Sequence, residues 1–297
     1  MSPMQPSKDG GNDHHRRLML RRLLQGAVGS VALGAGLLGW ATCIEPHWFE
    51  ITERELPIPN LPKSLIGKRL IQVSDFHIGK TSIPYLASAI EAVNRLDPDI
   101  LVLTGDFIDH GFPEAPKMIN AVFGELKPAT YATIGCLGNH DYGRFWSEIQ
   151  VADGVVERLK DHGVRILLDE QVQIEGLDIF GLNDFWSPRY QANKLMLRAS
   201  PTNASICLCH NPDVCDNRIW GDFQGVILAG HTHGGQCKPP FLDPPRVPVR
   251  NGRYVSGFYD LGDERTLYIN RGIGHGLKAR FNCRPEITVF TLNTTTT

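Results

Sequence analysis

Five apolar, β-rich segments of this 297-residue chain each stop at a residue that can bind a cation or hold a proton. Residues 70–73 run into Ser74-Asp75-Phe76-His77, and 100–103 into Thr104-Gly105-Asp106-Phe107-Ile108-Asp109. Residues 131–137 run into Gly138-Asn139-His140-Asp141, 206–209 into His210-Asn211, and 226–229 into Gly230-His231-Thr232-His233. In open α/β sheets, sites form at the carboxyl ends of strands. A fold that lays these strands side by side therefore brings all five ends to one place. One aspartate at a strand end reads as a turn or a helix cap; five such ends in one chain do not reduce to turns and caps.

The last of these ends carries the most specific chemistry. Neutral imidazole is the commonest side-chain ligand of transition metals, and two histidines stand one residue apart between glycines. On an extended backbone, alternate side chains point to opposite sides, so His231 and His233 are placed to address two different metals. The rest of the chain alternates. Helical spacing of Leu86, Ile90, Val93 and Leu96 predicts a helix over 84–96, with further helices over 115–126, 151–162 and 192–199. Strands are expected at 165–168, 172–175, 178–182, 204–209, 253–259, 266–270 and 287–292, with a hairpin turn at 261–264. Helix-covered strands followed by a β-rich second half suggest two packed sheets with helices outside.

Taken in order, these motifs are Asp-x-His (Asp75, His77), Gly-Asp-x-x-Asp (Gly105, Asp106, Asp109), Gly-Asn-His-Asp (138–141), a lone His210, and Gly-His-x-His (Gly230, His231, His233). The set resembles that of the calcineurin-like metallophosphoesterases, over roughly residues 69–292, with no ligand position missing. The run 230–236 and the tail 280–287 resemble the membrane-associated bacterial phosphodiesterase branch. The resemblance implies an α/β fold: a four-layer α/β/β/α sandwich, two mixed β-sheets packed face to face with helices outside. It implies that Asp75, His77, Asp106 and His233 hold one metal, and that Asp106, Asn139, His210 and His231 hold the other. Such an imidazole, carboxylate and amide set suits two divalent transition-metal ions, Mn, Fe or Zn. Two metals clamp the attacking and leaving oxygens of an in-line displacement. His140 is expected as the catalytic proton donor, and Asp141 as the carboxylate that orients a histidine. Asp109 reads as a brace for its loop. Arg271, His275 and Arg280, in or after a glycine-rich run, are candidates to bind substrate phosphate. Asn183 to Trp186 and the proline-rich stretch 239–248 are candidates for the site mouth, with Phe241 and Leu242 able to touch an acyl chain.

The N-terminus adds a second theme. Residues 1–22 read as a disordered, basic region, and 23–44 as a signal peptide or transmembrane anchor. A basic head before an apolar stretch is the layout of such a segment, and about 20 apolar residues span a bilayer. The run Arg16-Arg17-Leu18-Met19-Leu20-Arg21 also resembles a twin-arginine export signal. Residues 45–68, punctuated by four prolines, read as a linker that adds an edge strand over 49–56; 69–297 is the catalytic domain. Positive charge before the apolar stretch places the domain behind it outside the cytoplasm, at the outer face of a bacterial inner membrane.

Composition excludes some classes. A net charge of −2 and the lack of a basic stripe give no electrostatic reason to expect nucleic acid. Seven scattered cysteines with no Cys-x-x-Cys form neither a disulfide framework nor a zinc finger. The reading is a dinuclear metal-dependent phosphodiesterase acting on a phosphate ester or pyrophosphate at the membrane, with a lipid phosphoester among the expected substrates. One rival is a UDP-2,3-diacylglucosamine pyrophosphatase-like enzyme of lipid A synthesis. The other is a non-catalytic metal-bound scaffold, which would be expected to have lost ligands or the His of Asn-His-Asp.

Overall fold

The computed structural model describes residues 10–112 and 114–295. It opens with a long helix, α1 (Gly10–Gly39), whose apolar part is solvent-exposed, followed by short turns at Trp40–Ile44 and Glu45–His47. Then follow β1 (Glu50–Ile58), β2 (Arg69–Val73), α2 (Ile83–Leu96), β3 (Ile100–Thr104), α3 (Ile119–Phe123), β4 (Ala132–Cys136), α4 (Ile149–Asp161) and β5 (Arg165–Ile166). The second half runs β6 (Glu170–Ile174), β7 (Leu177–Gly181), α5 (Ala192–Met196), β8 (Ser205–Leu208), β9 (Gly225–Ala229), β10 (Gly257–Gly262), β11 (Arg265–Ile269) and β12 (Glu286–Thr294).

The strands form two six-stranded mixed sheets, β1-β12-β2-β3-β4-β5 and β10-β11-β9-β8-β7-β6. Strands β2 to β5 are parallel, as are β7, β8, β9 and β11. Alternate residues of both sheets, among them Leu70, Val102 and Phe290 from one and Ile179, Leu208 and Leu228 from the other, share one buried cluster. That cluster is the sheet-on-sheet interface, because successive side chains of a strand point to opposite faces. The other face of the first sheet meets α2, α3 and α4 through Leu86, Ile119, Val155 and their neighbours. The other face of the second sheet is covered by α5 and by loops bearing Trp220, Phe223 and Tyr254. The expected four-layer sandwich is the observed one.

Several expected elements differ in extent. The helix expected over 115–126 is a 3₁₀ turn, Ala115–Met118, followed by the short α3, since Pro116 and Gly124 bound the helical run. The strand expected over 253–259 begins only at Gly257. Residues 250–254 are tied elsewhere: Arg250 and Asn251 donate backbone N–H groups to Asp213, and the Tyr254 hydroxyl donates to Asp216. The stretch read as a linker, 45–68, is part of the fold, because β1 pairs with β12 in parallel over nine residues. The basic segment read as disordered is helical from Gly10 onward, continuous with the apolar helix. Leu, Met and Arg are good helix formers and carry the helix back through 16–22. Residues 1–9 of that region lie outside the described residues.

Both sets of parallel strands end on one edge of the sandwich. Buried Gln72 staples the sheets there, its amide N–H₂ donating to the Thr104 hydroxyl at 3.0 Å and to the Ala229 carbonyl at 3.0 Å across the interface.

Candidate metal centre

The five strand ends meet at this edge. Asp75, His77 and His233 offer donor atoms within 4.8 Å of one another, and so do Asp106, His210 and His231. The His77 and His233 Nε2 atoms stand 3.0 Å apart, and His233 Nε2 lies 3.3 Å from Asp75 Oδ1. His210 Nε2 lies 3.1 Å from Asp106 Oδ2 and 3.1 Å from His231 Nδ1. Asp106 Oδ2 is also 3.6 Å from His77 Nε2, so this one carboxylate sits between the two groups. All seven of Asp75, His77, Asp106, Asn139, His210, His231 and His233 are buried.

The loops reach this arrangement through unusual backbone. Asp75, His77, Asp106, His231 and His233 all have positive φ, between 48° and 73°. Left-handed backbone at non-glycine residues is costly and clusters at functional sites. It also corrects the expected reason for the His231–His233 split. The two imidazoles do belong to different groups, but the segment is a tight left-handed loop and not an extended strand, so alternation along a strand is not what separates them. Two glycines make room: a Cβ at Gly138 would collide with Asp106 Oδ1, and one at Gly230 would lie 2.5 Å from Asp75 Oδ2.

The remaining ring nitrogens are fixed by carbonyls. His210 Nδ1 is 2.7 Å from the Thr104 carbonyl and His231 Nε2 is 2.9 Å from that of Pro248. A carbonyl at one ring nitrogen sets the tautomer and leaves the other free to ligate. Burial opposes charge on His210, but Asp106 and Asp75 outweigh it and lift its pKa to about 10. Burial and the His210 charge push His231 down to about 3. Burial, His77 and Arg280 hold His233 well below the usual imidazole range. Two histidines are thus held neutral, the state in which imidazole binds a metal. The Asn139 side-chain oxygen is buried with no hydrogen-bond partner among the described residues. Leaving such an acceptor unpaired costs roughly 1–3 kcal/mol, which a bound cation would offset. The residues present therefore fit divalent metal.

Sequence comparison agrees with this geometry. The family model for calcineurin-like phosphoesterases matches residues 68–235. The chain belongs to this family. It is 32% identical over 294 residues to an uncharacterized metallophosphoesterase, YkuE, of Bacillus subtilis, covering 94% of this chain and 99% of that protein. It is 28% identical to the phosphodiesterase YaeI of Escherichia coli, covering 92% and 98%. It is 27% identical to the UDP-2,3-diacylglucosamine pyrophosphatase LpxG of Chlamydia trachomatis, covering 84% and 90%. The protein is accordingly a metal-dependent phosphoesterase, with one N-terminal helix long and apolar enough to cross a membrane.

Other residues expected in this phosphoesterase site fall in different places. His140 stands at the cavity beside the metal-binding groups, its backbone N–H donating to Asp106 Oδ1 at 2.9 Å. Its Nδ1 lies 3.5 Å from Asp109 Oδ2 and 2.8 Å from His110 Nδ1. Asp141 does not orient a histidine. Its two oxygens accept the backbone N–H groups of Ile108 and Gly138, because the 3₁₀ turn at His140–Tyr142 aims it back into the loops. The carboxylate beside histidines is Asp109, 3.4 Å from His77 Nδ1 as well as next to His140. Its Oδ1 accepts the Gly111 N–H, the loop-bracing contact expected of it.

The two arginines proposed to bind phosphate are taken up by protein acceptors. Arg271 pairs with Glu286 at 3.0 Å and with Glu50. Fully buried Arg280 donates to the carbonyls of Arg271, Gly272, Gly274 and Cys283 and folds the glycine-rich loop around itself. His275 is buried behind that loop, neither ring nitrogen having a partner among the described residues.

The mouth is formed as expected in part. Trp186 stands edge-on to His231, ring centres 4.8 Å apart, while Asp184 accepts the Trp186 N–H and so caps its own turn. Pro245, Arg246 and Pro248 of the proline-rich stretch line a cavity of about 580 Å³ with His77, Asp106, His140, His231 and His233. Lys80 and His110 at this cavity escaped sequence reasoning. His110 had a visible signal, since it directly follows Asp109 in the Gly-Asp-x-x-Asp motif.

Proposed function

We propose that this protein is a dinuclear-metal phosphodiesterase, tethered by α1 to a bacterial inner membrane with its catalytic domain on the outer side. The observation that carries the reading is the meeting of two groups of buried donors, Asp75, His77 and His233 with Asp106, His210 and His231, joined through the carboxylate of Asp106. Asp75, His77, Asp106 and His233 would hold one ion, and Asp106, Asn139, His210 and His231 the other. Four imidazoles, two carboxylates and one amide suit Mn, Fe or Zn. Bound there, such ions supply Lewis-acid charge to phosphoryl oxygens and ease ionisation of a water.

The chain's own groups do the rest. Asp106 turns Oδ2 to both donor groups, while its Oδ1 accepts the His140 backbone N–H. The Thr104 and Pro248 carbonyls hold His210 and His231 in one tautomer each. Burial opposes a proton on His140, but Asp106 and Asp109 outweigh it and raise its pKa, so the ring can carry a proton to the leaving oxygen. Lys80 and Arg246 at the cavity attract the anionic substrate. Positive charge ahead of the apolar part of α1 supports the outer placement of the domain, and the arginine pair there supports twin-arginine export.

The test is hydrolysis of bis-p-nitrophenyl phosphate and p-nitrophenyl phosphate side by side, before and after chelation and Mn addition. Diester turnover that chelation abolishes and Mn restores is expected; a metal-loaded protein that turns over neither ester contradicts the reading. A second reading, cleavage of a UDP-linked acylated sugar at its pyrophosphate, is favoured by the likeness to LpxG. A domain outside the cytoplasm opposes it, because such sugars are made inside.

A further inference from the structure

The end of the membrane helix is bonded to the rim of the metal centre. The Arg280 N–H donates to the Ala41 carbonyl at 2.8 Å, and the Cys283 N–H to Glu45 Oε1 at 2.6 Å. Glu45 is itself buried and accepts the Trp40 indole N–H at 2.8 Å. The Arg284 guanidinium donates to the Trp48 carbonyl and lies 4.0 Å above the Trp48 ring. The His47 ring packs edge-on against Tyr85. The segment leaving the bilayer is therefore a fixed part of the catalytic domain, and the level of the membrane surface is fixed relative to the cavity. Trp40 and Trp48, ring centres 5.8 Å apart, mark that level, since tryptophan collects at the membrane–water interface.

The proline-rich loop lies at the same level. Pro240 lines one cavity together with Trp40, Glu45, Phe281 and Arg284. The next two residues are Phe241, 104% exposed, and Leu242, 64% exposed. Leu277, 69% exposed, lines the catalytic cavity from the other side. Singly exposed apolar residues are ordinary. Here the two stretches are tied together, Leu277 to the Gln236 side chain and the Lys238 N–H to the Phe281 carbonyl, so three exposed apolar residues stand near the exit of a membrane helix, a surface with a partner already in place. Lys238, Arg246 and Lys278 interleave with them in the chain, cations suited to phosphate-bearing headgroups.

We propose that residues 239–242 and Leu277 form a second contact with the bilayer, so that the catalytic cavity opens onto the leaflet and takes a lipid phosphoester sideways. The cavity, about 580 Å³, is within the roughly 300–1,000 Å³ of a small-molecule site. It accommodates the headgroup while the acyl chains stay in the bilayer. The identity of the bond cleaved rests on the phosphodiesterase reading; the membrane contact does not.

The test uses the full chain in vesicles of phosphatidylethanolamine and phosphatidylglycerol. Benzoylphenylalanine replaces Phe241, with Leu37 in α1 as positive control and exposed Leu197 as negative control. Light-dependent lipid adducts at positions 241 and 37, and none at 197, are the expected result. Adducts at 37 without any at 241 would overturn the contact. In the same vesicles, the double variant Phe241→Glu, Leu242→Glu should lower the ratio of phosphatidylglycerol to bis-p-nitrophenyl phosphate turnover about tenfold or more, from loss of apolar burial. Adducts at 241 with that ratio unmoved would overturn the lipid-entry half. A wild-type protein inert on both esters would sink the phosphodiesterase reading while the cross-link still reads the membrane contact.

Discussion

Replacing His140 by alanine separates the roles assigned around Asp106. The ring lies outside the two donor groups built on Asp75 and Asp106, and the backbone N–H that bonds Asp106 is kept in the variant. Metal content should therefore hold. What is lost is the proposed proton donor, its pKa raised by Asp106 and Asp109 against the opposing effect of burial. General acid–base groups contribute about 10²–10⁴-fold, or about 3–5 kcal/mol of transition-state stabilisation, and kcat should fall by that much on alkyl and lipid esters. The fall should be smaller on p-nitrophenyl esters, whose leaving group needs little protonation. The assay is steady-state kinetics on both leaving-group classes, with metal analysis of each preparation. Asn139→Ala is the control: it removes the unpartnered oxygen proposed as a ligand, so metal content should drop and excess Mn should restore part of the rate. A His140→Ala protein that loses metal would refute the reasoning and favour a third site of His77, Asp109 and His140, whose donor atoms also lie within 4.8 Å. Equal losses on both ester classes would instead assign the imidazolium to the phosphoryl oxygens, where it acts whatever the leaving group.

Other expectations follow from the same contacts. Arg280→Lys cannot serve four carbonyls at once, so unfolding in urea should show a loss of at least about 2 kcal/mol; unchanged stability with a raised KM would return Arg280 to phosphate binding. Burial opposes ionisation of Glu286, but Arg271, Thr52 and Tyr268 outweigh it and hold its pKa below the ordinary 4.5. A lowered folded-state pKa stabilises fully above 4.5 and is lost as pH falls through the folded value; Glu286→Gln should flatten that acid limb of the stability profile, and an unaltered limb would contradict the pairing. A reporter fused after Thr297 that works only in the cytoplasm should be silent, and its activity would contradict the outward placement.

Much of the site was legible because its residues sit at strand ends, where the sequence shows both the apolar run and what stops it. Asp75, Asp106, Asn139, His210 and His231 are all such residues, and parallel strands gather them whatever the details of packing. Side-chain direction was not legible. Asp141 and Asp109 are both acids near a histidine in the chain, and only the 3₁₀ turn at His140 decides that Asp141 looks at amides and Asp109 at imidazoles. Arg280 reads as a free cation until the loop carbonyls that enclose it are in place. The edge strand β1 was legible but its partner was not, since β12 joins it from more than two hundred residues away. The docking of the helix exit on 280–284 likewise depends on contacts between the two ends of the chain.

The central claim is a two-ion centre bridged by Asp106, and metal stoichiometry tests it most directly. The full chain, purified, stripped, reloaded with Mn or Zn and freed of excess, should carry two ions per chain by elemental analysis. At most one ion per chain after saturating either metal would contradict the account.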